Sequence, residues 1–308
     1  MIVSDFITHF IAADLRTATP ILFAALGELY MERSGIINIG LEGFMLIGAL
    51  TGSISSYFFN SALLGVIMAA LVSGVLGLIY AFFVVTIKAN QVATGIAINI
   101  FSLGLTTTIY RAFMGVNTSH PNIASFKNIS IPLLSKIPIF GQSIFNQTAL
   151  VYLALMLVPF TYYFLYKTSI GLKIRAAGEY PQATDTAGVN VFQIRYGAII
   201  GGSMLVGVGG AYLSLGLLNM FTENMVAGRG FIALAAVIFG KWNPWGVLGA
   251  ALFFGFGDAL AIRLQVMGSS IPYQFLLMLP YIFTVAVLAG VVGKAFSPTA
   301  LGIPYNKE

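Results

Sequence analysis

An all-α integral membrane protein with about 8–10 transmembrane helices is the fold class this sequence predicts, and three observations carry it. Of 308 residues, 58% are hydrophobic and only 8% are charged, against about a quarter in soluble domains. No charge occurs from Gly43 to Ile87, a run more than twice the ~20 residues that one spanning helix needs. The 34 Gly and 25 Phe suit helices packed in lipid. So few charges cannot cover a water-soluble surface without large exposed apolar patches. Disorder, a disulfide scaffold and an ordinary soluble enzyme are therefore excluded. The chain has no Cys, hence no thiolate ligand or thiol nucleophile. Its +5 net charge is scattered between apolar runs rather than clustered, which argues against nucleic acid as a partner.

The elements follow in order. Met1 to Leu15 carries Asp5, His9 and Asp14 and is expected to be interfacial, partly inserted or an irregular tail. Thr17 to Met31 is the first span, interrupted by Glu28 and closed by the polar break Glu32-Arg33-Ser34-Gly35. The long uncharged run divides at YFFNS, 57–61, into helices near 36–57 and 61–86. Lys88-Ala89-Asn90 marks a turn before a helix near 91–112. Residues 114–147 hold Asn117, His120, Pro121, Lys127, Pro132, Lys136 and Pro138, and predict an extracytoplasmic loop with short helical pieces. A helix near 148–166 follows, with Pro159 expected to kink it.

Residues 168–190 are too polar to span. Ser169 to Gly178 predicts a short helix, Tyr180-Pro181 a break and Thr184 to Gly188 a second short helix. The next span, near 192–216, contains the GxxxG pair Gly197 and Gly201, a spacing that lets helix backbones approach closely in lipid. Gly228-Arg229-Gly230 opens a half-length apolar segment ending at Gly240, expected to be broken or re-entrant. Lys241-Trp242-Asn243-Pro244 predicts a turn with Trp at an interface. A helix near 245–262, a turn near 268–272 and a last helix near 273–293 complete eight full spans and one half-length segment. Alternation places Lys88, the 167–195 region and the tail on one side, cytoplasmic by their basic excess, and 114–147 on the other. Residues 43–49 (GFMLIGA) echo 230–236 (GFIALAA), which suggests the inverted repeat common in transporters with broken helices.

Several blocks carry a family resemblance. They are Gly27-Glu28 with 32–43 (ERSGIINIGLEG), Asn90-Gln91-Val92 with Gly95 and Asn99, and 171–176 (GLKIRA) with Gly178-Glu179 and Gly188-Val189. The others are 228–235 (GRGFIALA) through Gly240 and Asn243-Pro244, Gly257-Asp258-Ala259, and 300–305 (ALGIPY). Together, from about residue 18 to 305, they resemble the permeases of bacterial ABC importers for nucleosides and simple sugars, related to ribose and branched-chain amino acid permeases. The chain looks most like the shorter permease of a heterodimeric nucleoside system. The resemblance implies one permease domain over 1–308 in the bacterial cytoplasmic (inner) membrane, paired with a second permease. It implies a cytoplasmic ATP-binding subunit that holds ATP and magnesium, and an extracytoplasmic substrate-binding lipoprotein. No cofactor is expected on this chain, and no GxxxxGK[ST] phosphate loop occurs in it.

The same resemblance makes 168–190 a cytoplasmic coupling loop that docks on the ATPase, with Lys173, Arg175, Glu179 and Asp185 able to pair with the partner and Gly178 and Gly188 setting turns. For the substrate pathway or intramembrane polar sites the candidates are Asn38, Glu42, Asn90, Gln91, Asn99, Arg229 and Asp258. A lone Glu42 in an uncharged stretch is costly unless it is paired or faces water. Its alternatives are a structural pairing with Glu28, Arg33 or Arg229, a contact with a substrate hydroxyl or base, or a place near the interface. Asn99 bonds another helix or lines a pore, and Phe44, Phe101 or Phe231 offers a stacking face for a base. Arg229 serves an external gate, receives the binding protein or snorkels to headgroups. Asp258 is poorly spaced to pair with Arg263 on one helix. No catalytic or metal-ligating set emerges, and His9 and His120 stand apart. Two function classes remain: a permease subunit of an ATP-driven importer of nucleosides or simple sugars, and a self-sufficient secondary transporter.

Overall fold

The computed structural model describes residues 2–114, 123–132, 140–266 and 296–307, with three isolated positions at 275, 278 and 282. The expected turn near 268–272 lies outside the described residues, as do the helix near 273–293 (apart from those positions) and much of the 114–147 loop, including Asn117 and His120.

The first helix, α1, spans Ile2–Arg33. The expected interfacial or irregular start is therefore helix. Contact with a late helix, α11 (Pro244–Val266), draws it into the bundle. Phe10 packs edge-on against Phe256, and the Thr17 hydroxyl donates to the Gly255 carbonyl at 2.9 Å. After an irregular stretch over 36–40, α2 spans Leu41–Phe59. Asn60, in the left-handed conformation, ends it, and the Ser61 hydroxyl caps α3, Ala62–Ala81. A π turn over Phe82–Thr86 closes α3 before α4, Gln91–Met114.

The loop beyond α4 contains more than the short helical pieces expected. Strand β1 (Asn128–Ser130) pairs antiparallel with β2 (Asn146–Thr148), and the short α5 (Phe140–Ile144) lies between them. Then come α6 (Ala149–Lys167), α7 (Ser169–Glu179) and α8 (Pro181–Thr186). Pro181 starts α8 at a position where its missing N–H costs nothing, so this helix sits earlier than the 184–188 expected. The helix α9 spans Val191–Tyr212 and ends in a π turn, Leu213–Leu217. The half-length α10 covers Arg229–Phe239.

Six of these helices are long and apolar enough to cross a membrane: α1 from Ile7, α3 with its π turn, α4, α6, α9 with its π turn, and α11. The protein is a multi-pass, all-α membrane protein. Among the described residues α2 adds a seventh long helix, buried from Leu41 through Leu50 at the bundle centre. The eighth expected span is the one outside the described residues.

Helices α1, α2, α3 and α9 pack against one another through glycine. A methyl group on Gly48 would collide with the Gly207 carbonyl, and one on Gly202 would stand 2.5 Å from the Gly27 carbonyl oxygen. Among the described residues the GxxxG pair expected to mediate such contact does not. None of their atoms beyond α9's own backbone lies within 4 Å of a methyl placed on Gly197 or Gly201, which face an apolar groove beside Phe160 and Phe164. The packing register of α9 is instead set by Gly202, Gly207, Gly209 and Gly210, one step around the helix. Gly48→Ala is accordingly expected to cost about 1–3 kcal/mol by overpacking, whereas Gly197→Ala changes stability by less than about 0.5 kcal/mol. Thermal midpoints of the two purified variants in one detergent check this.

The connections separate into two ends. At one, the 33–40, 88–91, 168–190, 241–243 and 298–307 segments gather, as the Lys88–Asn306, Gly178–Ala300 and Arg33–Trp242 contacts attest. This basic end unites the three segments that alternation placed together. At the opposite end Ser56 bonds the Ala124 carbonyl, and the Phe126 amide bonds Leu215. Arg111 grips Glu223 there with two bonds of 2.7 and 2.8 Å, and that guanidinium holds the exposed Glu223 carboxyl below the usual carboxylate range. A depressed acid contributes stability that is complete above its unfolded pKa and is lost as pH falls through its folded pKa. Glu223→Gln is expected to remove that part of the acid dependence, read from melting curves of wild type and variant across the carboxylate range.

Candidate functional site

The polar residues singled out inside the membrane region converge on the irregular 36–43 backbone. Gly35 adopts φ +91° and turns the chain back into the bundle. A segment entering lipid without helical hydrogen bonds must find other partners for its N–H and C=O groups, and the side chains supply them. Glu28 Oε1 accepts from the Asn38 amide at 2.8 Å, Asn38 Oδ1 from the Gly40 amide at 2.8 Å and Gln91 Oε1 from the Ile37 amide at 2.9 Å. Asn99 Oδ1 accepts from the Gly43 amide at 2.8 Å while its Nδ2 donates to the Ile39 carbonyl at 2.9 Å. The Tyr80 hydroxyl donates to the Ile37 carbonyl at 2.6 Å. Asn38 and Tyr80 are fully buried, and Gln91 nearly so. Asn99 thus joins two helices, the first of its two alternatives. Asn90 stays outside this knot and caps α4 through the Ala93 amide.

Among the described residues no cation forms an ion pair with Glu42. Its two oxygens accept from the Gly228 and Gly230 amides at 2.7 and 2.8 Å, at the N-terminus of α10. A carboxylate there satisfies two N–H groups that helix geometry leaves open and meets the positive end of the helix dipole. The fit requires glycine, because a methyl on Gly230 would lie 2.6 Å from the Glu42 Cα. The two echoing segments, 43–49 and 230–236, therefore begin face to face. Arg229 turns away to Asp258 of α11 at 3.4 Å and to the Val226 carbonyl at 3.2 Å. Asp258 finds its partner on another helix, as its spacing from Arg263 implies. Of the three aromatic candidates, Phe44 is fully buried, while Phe101 and Phe231 are each about half exposed.

The 168–190 segment folds as two short helices on the basic end. The Thr168 hydroxyl accepts from the Gly171 amide and starts α7. Gly178 presses on the 33–35 backbone, 3.1 Å from the Gly35 nitrogen to an added methyl. Three of the four charges proposed for a partner are held within the chain. Arg175 donates to the Leu165 carbonyl at 2.9 Å and lies over the Tyr166 ring. Glu179 accepts from Thr299, and Asp185 sits 3.5 Å from Lys307. Lys173 remains exposed, beside Leu172 and Tyr180, which are 59% and 67% exposed. Gly188, at φ +81°, makes the turn out of α8. A groove of about 470 Å³ runs between α7 and α8 from Ser169 to Val189.

Sequence reasoning missed Trp242, Arg195 and Tyr80. Trp242 was expected at an interface. It is 5% exposed, its indole N–H bonds Glu32, and its carbonyl accepts from Arg33 at 2.7 Å. The two charged residues of the 32–35 break, opposite in sign, are the available signal that something specific sits against them. Arg195 closes the basic 167–195 region in sequence, yet it is 1% exposed.

The chain is similar to known proteins over nearly its whole length. The family model for the permease component of branched-chain amino acid transport systems matches residues 10–292. The guanosine ABC transporter permease protein NupQ of Bacillus subtilis is 40% identical, over 96% of each chain. The nucleoside ABC transporter permease protein NupC of Lactococcus lactis is 37% identical, over 97% of this chain and 96% of its own. A putative glucose ABC transporter permease protein of Haloferax volcanii, TsgC13, is 35% identical over 99% of each. No solved structure matches the chain. A match over nearly the whole length, on a bundle whose polar residues serve its own broken backbone, settles the assignment: the chain belongs to the family of permease components typified by the branched-chain amino acid transport systems.

Proposed function

We propose that this chain is a transmembrane permease subunit of an ATP-driven importer that moves nucleosides across the bacterial cytoplasmic membrane by alternating access. It works with a second permease and a cytoplasmic ATP-binding subunit, which carries ATP and magnesium. An extracytoplasmic lipoprotein delivers substrate. The observation that carries this reading is the similarity to guanosine and nucleoside permeases over nearly the whole chain. The geometry supports it at the basic end, which the positive-inside rule makes cytoplasmic. A motor outside the lipid needs something rigid to push. The α7–α8 pair is tied to the bundle by Arg175, Glu179 and Asp185, exposes Leu172, Tyr180 and Lys173, and rests on the break between α1 and α2.

In this reading Lys173 contacts the ATP-binding subunit. Arg175, Gly178, Glu179, Asp185 and Gly188 hold the coupling helices in place. Asn38, Glu42, Gln91 and Asn99 shape the broken segment beside the pathway, Asn90 caps α4, and Arg229 with Asp258 fixes the α10 entrance. The glucose-named relative favours a second reading, a simple-sugar importer with the same mechanism. Uptake of labelled guanosine into vesicles bearing the complete importer separates the readings. The nucleoside reading expects uptake that needs internal ATP, survives collapse of proton and sodium gradients, and is competed by nucleosides but not hexoses. No guanosine uptake together with ATP-dependent uptake of labelled hexose by the same vesicles would favour the sugar reading, and dependence on an ion gradient would overturn both.

A further inference from the structure

The segment 298–307 crosses the basic end and touches each element that a coupling movement must pass through. The Ala300 amide donates to the Gly178 carbonyl at 2.9 Å, at the end of α7, and the Gly302 amide to the Gly35 carbonyl at 3.0 Å, in the break between α1 and α2. Glu179 Oε2 accepts from both the amide and the hydroxyl of Thr299, at 3.1 and 2.9 Å. Lys307 reaches Asp185 of α8, and Asn306 accepts from Lys88 between α3 and α4. Tyr305 is 6% exposed and packs on Phe192 at the start of α9.

One buried cation sits beneath this crossing. Arg195 donates from Nε to the Ser34 carbonyl at 3.2 Å and from one terminal nitrogen to the Ile303 carbonyl at 3.1 Å. Burying a guanidinium is costly, and among the described residues its partners are two main-chain carbonyls from separate segments rather than a carboxylate. A solvated tail needs neither this anchor nor main-chain bonds to two other segments. The junction is also tight: a methyl on Gly35 would stand 2.9 Å from the Arg195 guanidinium and 3.2 Å from the Ala300 carbonyl oxygen.

Beyond the junction the contacts continue inward. Glu32 and Arg33 grip Trp242, just past the end of α10, whose other end is held by Glu42.

We propose that residues 298–307 form a strap which, anchored on Arg195, locks the α7–α8 pair to the break between α1 and α2, so that displacement of the coupling helices is passed to α1 and α10. The inference rests on the coupling reading of 168–190. It assigns Thr299, Tyr305, Lys307 and Arg195 as positioning residues for transport, none of which touches substrate or nucleotide.

The test uses the complete importer in proteoliposomes, with ATP hydrolysis and uptake measured on the same preparation. The first variant combines Thr299→Ala, Tyr305→Ala and Lys307→Glu; the second, Ala300→Pro, deletes the amide that bonds Gly178. Because the chain has no Cys, Lys173→Cys in each background also reports, by cross-linking, whether the ATP-binding subunit is docked. The strap predicts that hydrolysis and cross-linking persist while uptake per ATP falls at least about fivefold. The conservative set Thr299→Ser, Tyr305→Phe and Lys307→Arg should restore it. An unchanged ratio of uptake to hydrolysis in the triple variant overturns the strap. So does loss of cross-linking in that variant alone, since the tail would then serve docking rather than transmission. Failure of Lys173→Cys to cross-link in the otherwise wild-type importer would instead remove the coupling reading, and the strap with it. If Ala300→Pro does not fold, the triple variant, which leaves every main-chain bond possible, decides.

Discussion

Glu42→Ala is expected to destabilise the protein by about 3–6 kcal/mol, the sum of two charge-assisted hydrogen bonds at about 1.5–3 kcal/mol each. The carboxylate is the side-chain partner of the Gly228 and Gly230 amides. Without it both N–H groups are left at the mouth of a helix that starts within the membrane region. Water cannot readily replace the lost acceptor, since Glu42 is only 8% exposed. Glu42→Gln should fall between wild type and Ala. Its amide oxygen can accept from one glycine, but its NH₂ then faces the other donor. Thermal midpoint in detergent and yield of monodisperse protein are the readouts. Wild-type values for both would show that the α10 entrance is held by something other than Glu42. A substrate-contact role predicts the reverse pattern, with normal yield and lost uptake.

Gly178→Ala carries the largest expected effect on transport. Its methyl would collide with the Arg33 carbonyl oxygen and stand 3.0 Å from the Arg33 carbonyl carbon. Both are backbone atoms, fixed by the bonds of Arg33 to Trp242 and of Gly35 to Gly302. The coupling helix must therefore lift away from the 33–35 break. Uptake is expected to fall by about tenfold or more while ATP hydrolysis continues, a coupling loss within the usual allosteric range. Gly188→Ala is the control. That glycine also lies in the polar segment and has a positive φ, yet among the described residues no atom beyond its own chain neighbours is within 4 Å of an added methyl. It is expected to pay only the left-handed backbone cost of about 1–2 kcal/mol, with little effect on uptake per ATP. Equal losses in the two variants would mean that transport is sensitive to any added side chain in this polar segment, not to the contact between Gly178 and the break.

The long elements were legible because lipid constrains them through composition. Uncharged runs, the polar 168–190 segment and the eleven-residue α10 all follow from what a hydrocarbon layer excludes. The motifs around Asn38, Glu42, Gln91 and Asn99 were legible as important, since amides and a carboxylate in an apolar stretch demand partners. What could not be seen was which partners. A lone Glu42 in an uncharged stretch calls for a partner, and two main-chain N–H groups answer it, but main chain has no letter in a sequence. Gly197 and Gly201 have the spacing of a packing motif, and Gly202 and Gly207 have the packing. A rotation of α9 of about 100° per residue separates them, and only the neighbouring helices determine which glycines face inward. Trp242 carries the same signature as an interfacial anchor, and its burial depends on Glu32 and Arg33 arriving from more than 200 positions away.

That the chain crosses a membrane many times, carries a segment at 168–190 too polar to span and breaks its backbone near residues 32–35 and 228 is already present in residue order, because each is a local balance between apolar length and polar cost; that the break runs on through 36–40, where residue order predicts the start of a helix over 36–57, is not. That the broken backbone is satisfied by Asn38, Gln91, Asn99 and Glu42, that Gly178 meets the 33–35 break, and that 298–307 binds both through Arg195 are decided by tertiary contact alone. Apart from the Asn38 bond to the Gly40 amide, two residues on, those bonds join groups far apart in sequence, and at least one side of nearly every bond is main chain. Only the packed bundle brings such groups within 3 Å or so of each other.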